Sequence, residues 1–195
     1  IIIVPLFIDE NKNPDFSIIE SASEGIGKYL KKRDIVILET TVPPGTTEKR
    51  IKPILEKTSG LKAGRDFFLA YSPERIMTGY SISRYNEFPK IIGGINHLSA
   101  KIARQVYNQF CSSVTTVSNI ITAEMTKVME GVYRDVNIAL GNEIYKICQS
   151  NDVDFFELQK AAKHEFCHII GPGLVGGHCI PVDPYYLSWK ARAYD

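Results

Sequence analysis

Apolar positions fall along this chain in short, nearly continuous runs at 1–8, 35–39, 67–71, 90–92 and 114–117. Each run has the length of a buried strand and is rich in β-branched and aromatic residues. None alternates with polar residues as a half-wet sheet would, so the pattern predicts a parallel sheet covered on both faces. Between the runs the period becomes helical. Ile18, Ile19, Ala22, Ile26, Tyr29 and Leu30 mark one helix, expected to end at the cations Lys31, Lys32 and Arg33. Leu98, Ile102, Val106, Tyr107 and Phe110 mark another. Strands alternating with helices predict an α/β first part, a partial Rossmann-like parallel sheet.

The pattern then changes. No proline occurs between Lys90 and Gly171, and Met125, Val128, Met129, Val132, Val136, Ala139, Leu140, Ile144 and Ile147 trace one stripe. The stripe predicts a spine helix over 122–149, longer than a globular helix usually runs, which suits a domain spine or a contact between subunits. Asp154 and Glu157 have capping-box spacing, and a further helix is expected from there towards His168. Residues 171–184 are rich in glycine and proline. The expected division is an α/β part over 1–119 and an all-helical central, dimer-forming part over 120–195. The chain opens directly in an apolar run and closes in a helix-like one, so it is expected to be an internal fragment.

Composition narrows the class. Apolar residues make up 44% and charged residues 23%, ordinary for a globular protein and unlike a disordered, collagen-like or membrane-bundle chain. The net charge is +1, which supplies no global field for nucleic acid or anionic lipid. The run at 1–8 contains Pro5 and is too short to span a bilayer. Cys111, Cys148, Cys167 and Cys179 are too few and too scattered for a disulfide scaffold, so a reducing, cytoplasmic setting is expected.

Two motif matches carry weak chemistry. Gly171, Gly173 and Gly176 spell GxGxxG, but that fingerprint needs a strand before it and a helix N-terminus after it, and Pro181 and Pro184 argue against such a helix. His164-Glu165-Phe166-Cys167-His168 spells HExxH, which on a helix puts two histidines on one face for zinc hydrolysis. The longer metzincin pattern wants a third ligand at 174, where Leu174 stands, and no glutamate follows Glu165. Cys179 is the sharper candidate. It lies between Gly176-Gly177 and two prolines, beside His178 and four residues before Asp183, in a loop whose backbone allows close approach to a ligand. Spacing alone leaves it either a nucleophile or an inert thiol. Lys127, on the spine helix, has by pattern no claim beyond a surface residue. The segments 39–47 and 72–75 each follow an expected strand, at the carboxyl edge where α/β sheets bind ligands.

Four segments together resemble the UDP-glucose/GDP-mannose 6-dehydrogenase family: ETTVPPGTTE at 39–48, AYSPERI at 70–76, TAEMTKVMEGVYRDVNIALGNE at 122–143 and PGLVGGHCIPVDPYYLSWKAR at 172–192. The RDVN stretch and the GGHC loop look most like the branch acting on UDP-N-acetylmannosamine or UDP-N-acetylglucosamine. The resemblance implies oxidation of a C6 alcohol to a carboxylate, with two hydrides passed to NAD. It implies that Cys179 adds to the aldehyde as a thiohemiacetal and then becomes a thioester. It implies oxyanion stabilisation by Lys127, and water ordering and proton movement by Glu74, Asp183 and Thr41. Val4, Pro5, Thr40, Thr41 and Glu74 would face the cofactor. Arg134, Asn137, Gly173, Gly176, Gly177 and His178 would face the UDP-sugar. A homodimer through the long helix is implied, with no metal, nucleic acid or membrane partner. Many members carry asparagine, sharing the oxyanion role, where this chain has Gly131; the alternatives are compensation by Arg134 or Asn137 and a weaker oxyanion site. Members also begin with a glycine-rich NAD loop and end with a UDP-binding domain, neither of which this sequence contains. The other expectations are a truncated, non-catalytic dimerising relative and the zinc hydrolase.

Overall fold

The computed structural model describes residues 1–76, 86, 88–177 and 179–192. They form two compact units, one of Ile1–Val128 joined by the segment from Tyr186 onward, the other Met129–Tyr185.

The first unit begins with a parallel bridge from Ile2 to Leu38, closed by Ile2 N–H on the Ile37 carbonyl and Glu39 N–H on the Ile2 carbonyl. The expected single strand over 1–8 is broken, because Pro5 has no N–H to continue a ladder. A side chain completes the pairing instead: the Thr40 hydroxyl accepts from Val4 N–H at 3.1 Å and donates to the Val4 carbonyl at 2.7 Å. Beyond Pro5, β1 (Phe7–Ile8) pairs antiparallel with β2 (Pro14–Asp15). Helix α1 (Ser17–Gly27) buries Ile19 and Ser23. It stops short of the cations at 31–33, since Gly25 and Gly27 weaken its last turn, and Tyr29 lies outside it, exposed.

Strand β3 (Ile35–Leu38) leads through a loop and a π-helical turn (Thr47–Ile51) into α2 (Lys52–Ser59), which packs on α1. Strands β4 (Phe68–Tyr71) and β5 (Lys90–Gly94) follow, then α3 (His97–Tyr107), capped by Asn96 on Ser99 N–H, and β6 (Val114–Thr116). The sheet order is β3-β4-β5-β6. Pairing is parallel for β3/β4 and β5/β6, as the pattern predicts, but β4 and β5 run antiparallel with Tyr71 opposite Gly93. Ile37, Ala70 and Ile92 from three adjacent strands meet Ala103 and Tyr107 of α3 in the core. Cys111 lies just beyond α3, not on its face, with its N–H on the Tyr107 carbonyl.

The spine helix α4 runs over Ile120–Ser150, one turn or less beyond its expected bounds. Its first residues belong to the first unit and the remainder to the second. Among the described residues no helix is long and apolar enough to cross a membrane.

In the second unit α5 (Phe155–Ala162) starts where expected, with the Asp154 carboxylate accepting Phe156 and Glu157 N–H groups. It does not reach His168. Lys163 is extended, and His164 and Cys167 exchange two backbone hydrogen bonds across a tight turn. The His164 Nδ1 accepts Phe166 N–H at 3.1 Å, diverting that amide from a helical ladder. His164 and His168 therefore share no helical face, and the HExxH reading loses its geometry. Helix α6 (Asp183–Ala191) does begin after the glycine-rich loop, contrary to expectation. Pro184 stands in its first turn, where a missing N–H costs nothing. The residues ahead of Gly171 form no strand, so the dinucleotide fingerprint lacks its other half. In the first unit the later part of α6 docks on the opening segment, with Tyr186 Oη donating to the Leu6 carbonyl and Trp189 against Phe16.

Candidate functional site

Because β3 and β4 are parallel, with Leu38 opposite Tyr71, their carboxyl ends release Glu39-Thr40-Thr41 and Ser72-Pro73-Glu74 at one edge of the sheet. Antiparallel β5 starts at that same edge and delivers Lys90 there. Thr41 and Glu74 are half-buried. The Glu74 Oε1 accepts the N–H groups of Arg75 (2.7 Å) and Ile76 (2.6 Å), while Oε2 lies 3.6 Å from Lys90 Nζ. Lys90 also reaches Glu39 Oε1 at 3.3 Å and the Pro73 carbonyl at 3.2 Å. Glu39 is buried and accepts a hydrogen bond from the Tyr107 hydroxyl. Of the other residues assigned to the cofactor, Val4 and Thr40 are held together by the Thr40 hydroxyl, and Pro5 is exposed.

The loop after β3 is fastened by a residue that the sequence reading passed over. Glu124, fully buried in the first turns of α4, accepts the Gly45 N–H, the Thr47 N–H (2.9 Å) and the Thr47 hydroxyl (2.6 Å). Burial pushes its carboxyl up to about 7; the Thr47 and Gly45 donors pull it partly back, and neighbouring Glu48 adds to the rise. The signal was present: Glu124 shares the buried phase of α4 with Ile120, Ala123 and Val128. Lys127 follows Glu124 by one turn, half-buried, and forms no ion pair among the described residues.

In the second unit the glycine-rich loop is laid along α4. A Cβ at Gly141 would stand 2.2 Å from the Ile170 carbonyl oxygen, so only glycine allows this approach. Asn142 grips Gly173 on both its backbone groups, and Gln159 donates to the Ile169 carbonyl at 2.9 Å. Beyond, Gly173, Gly176 and Gly177 are exposed, with Gly177 at φ +85°, where glycine is favoured. His178 lies outside the described residues. Cys179 is exposed and free, and its carbonyl accepts the Val182 (3.0 Å) and Asp183 (2.8 Å) N–H groups. Asp183 is buried, and a Cβ at Gly131 would lie 3.0 Å from its Cβ and 3.1 Å from its Oδ2. The missing side chain at 131 thus leaves the space that Asp183 uses. Arg134 is exposed, and the Asn137 amide donates to the Tyr133 carbonyl at 2.7 Å. The expected catalytic residues divide by unit, with Thr41, Glu74 and Lys127 in the first and Cys179 and Asp183 in the second.

Comparison with known proteins bears on both units. Residues 1–111 match the NAD binding domain of the UDP-glucose/GDP-mannose dehydrogenase family, and residues 121–195 match its central domain. The chain is 46% identical over 195 residues to a UDP-N-acetyl-D-glucosamine 6-dehydrogenase of Pseudomonas aeruginosa, covering 99% of this chain and 46% of that protein. It is 40% identical over 182 residues to a UDP-N-acetyl-D-mannosamine dehydrogenase of Pyrococcus horikoshii, covering 92% and 43%. A solved UDP-D-ManNAc dehydrogenase from Pyrococcus horikoshii matches with a TM-score of 0.89 at 38% identity, over 95% of this chain and 44% of that one. The chain therefore spans somewhat less than half the length of these relatives. Matched in order by the two domains along nearly all its length, the protein belongs to the UDP-glucose/GDP-mannose dehydrogenase family.

Proposed function

We propose that this chain, within the whole protein, oxidises the C6 alcohol of a UDP-N-acetylhexosamine to the uronate, with NAD as acceptor and Cys179 as nucleophile. The observation that carries the reading is Cys179 itself: a free, exposed thiol on a fastened glycine-rich loop, one turn ahead of buried Asp183. The relatives' names supply the substrate class. The carboxyl edge of β3 and β4 suits a nicotinamide cofactor, since it is the ligand-binding edge of an α/β sheet and Thr41 and Glu74 remain partly open there. Val4, Pro5, Thr40, Thr41 and Glu74 would hold the cofactor.

NAD supplies the hydride acceptor at each of the two oxidations. The chain's own residues do the rest. Once the alcohol has become an aldehyde, the Cys179 thiolate adds to C6, and the new S–C bond makes a thiohemiacetal whose oxygen Lys127 stabilises by charge. Loss of the second hydride from C6 leaves a thioester on Cys179. Water ordered by Glu74, Asp183 and Thr41 attacks it, the C–S bond breaks, and the carboxylate and the Cys179 thiolate are released as water's two protons pass through these groups to solvent. Arg134, Asn137, Gly173, Gly176, Gly177 and His178 would hold the nucleotide sugar.

The proposal includes a division into an NAD-binding part over 1–119 and a central part over 120–195. It includes a homodimer through α4, supported by exposed Met129, Tyr133, Val136, Leu140 and Ile147 at heptad spacing. It also includes a cytoplasmic setting, supported by four cysteines that form no disulfide among the described residues.

The test uses the full-length protein with UDP-N-acetylglucosamine and UDP-N-acetylmannosamine, following NADH and the acid product. Cys179→Ser is expected to abolish acid formation. Iodoacetamide is expected to label Cys179 ahead of buried Cys148, and nucleotide sugar to protect it. Acid formation by Cys179→Ser at the wild-type rate would overturn the nucleophile. A dimer that reduces no NAD with either sugar would favour a non-catalytic relative.

A further inference from the structure

We propose that Lys90 is a positioning residue that fixes the direction of the Glu74 carboxylate; this rests on the catalytic role given to Glu74 above. The Lys90 side chain is only 12% exposed, and its ammonium lies 4.9 Å from the centre of the Tyr107 ring. An ammonium has three N–H donors, and three oxygens surround this one: Glu39 Oε1, the Pro73 carbonyl and Glu74 Oε2. The two carboxylates differ. Glu39 is 7% exposed and tied to the Tyr107 hydroxyl, so it anchors the cation from the core side. Glu74 is 42% exposed and faces outward.

Glu74 is thereby held at both oxygens, Oε1 by the Arg75 and Ile76 amides and Oε2 by Lys90. A glutamate on a surface turn would otherwise turn about its rotatable bonds. Here the carboxylate plane is set while the side chain stays partly open to solvent. The chain Tyr107–Glu39–Lys90–Glu74 passes the rigidity of the α3 core to a partly exposed carboxylate at the sheet edge. The antiparallel course of β5 is what makes this possible, because it starts β5 beside the carboxyl end of β4.

The competing view is that Lys90 only neutralises buried Glu39. Two variants of the full-length protein separate the views. Lys90→Met removes the cation from both carboxylates, and the double variant Glu39→Gln/Lys90→Met also removes the buried charge that would otherwise be stranded. Both are expected to lower kcat about 10- to 100-fold, the cost of a misplaced catalytic group, with KM for the nucleotide sugar changed less than about threefold. Lys90→Arg is expected to recover part of the loss. In both Met variants the Arg75 and Ile76 amides are expected to exchange with solvent faster than in the wild type. Wild-type kcat and wild-type exchange in the double variant would overturn the proposal, even if Lys90→Met fails to fold. Should the wild type oxidise no UDP-sugar, the catalytic reading falls by itself, and amide exchange at Arg75 and Ile76 still decides whether Lys90 orients Glu74.

Discussion

Asn142 pairs with Gly173 as a neighbouring strand would: its Nδ2 donates to the Gly173 carbonyl at 3.0 Å, and its Oδ1 accepts the Gly173 N–H at 2.8 Å. One side chain of α4 thus sets the course of the loop that leads to Cys179. Asn142→Leu removes both bonds and is expected to cost about 2 kcal/mol, from two bonds of about 1 kcal/mol each. Asn142→Asp keeps the acceptor, loses the donor and should fall between. Thermal unfolding measures the stability, and limited proteolysis within 171–177 reports the loosened loop. Equal stability and cleavage in wild type and Asn142→Leu would refute the clamp.

Buried Glu124 gives stability a distinct pH dependence. Its ordinary value is 4.5 and its folded value about 7, so between these the folded protein holds a proton that the unfolded chain has released. Its contribution is complete below 4.5 and is lost as pH rises through 7, with an amplitude of about 3 kcal/mol. Relative to Glu124→Gln, the wild type should therefore lose stability between pH 5 and pH 8. Denaturant unfolding of both proteins across that range measures it, and parallel curves would contradict the assignment.

At most exposed helical positions Gly→Ala stabilises by about 1 kcal/mol. Gly141→Ala should do the reverse, because the new Cβ would meet the Ile170 carbonyl oxygen at 2.2 Å, and backbone must move. A cost of about 2 kcal/mol is expected, typical of forced overpacking. A rise in Tm would show that the loop does not lie on α4.

Met129, Tyr133, Val136, Leu140 and Ile147 leave a seam of exposed side chains along α4. Leu140→Glu, at its middle, is expected to weaken self-association of the full-length protein by at least about tenfold, since it puts a charge into a desolvated contact. Light scattering across micromolar concentrations reads it. A monomeric wild type would remove the basis for the dimer.

Apolar runs located β3 through β6, and helical periodicity located α3 and the spine helix; burial accounts for the runs of β3, β4 and β5, whereas β6 is largely exposed. The pattern misplaced features governed by single bonds. Pro5 ended a run whose hydrophobicity continued, and the His164 imidazole captured an amide that the helical period had assigned to a ladder. Pro184 was read as a barrier although its place in the first turn of α6 made it harmless. The site divides in the same way. The segments that hold Thr41 and Glu74 follow from strand ends and the loop of Cys179 from its composition, while the roles proposed for these residues rest on the family resemblance. Lys90, Glu124 and Asn142 act on residues distant in sequence, and pairwise geometry of that kind has no period.

The Thr40 hydroxyl stands in for a peptide group beside Val4. Alignment of the opening segment, begun by the backbone bridge at Ile2, is accordingly continued by a side chain. Valine matches threonine in outline and also favours strands, yet it would remove both bonds to Val4 and leave the segment held by the Ile2 bridge and the Leu6 carbonyl; serine, a poorer strand former, would retain them. Position 40 is thus a place where shape and propensity misdirect substitution, and hydrogen-bonding valence alone decides what the chain tolerates.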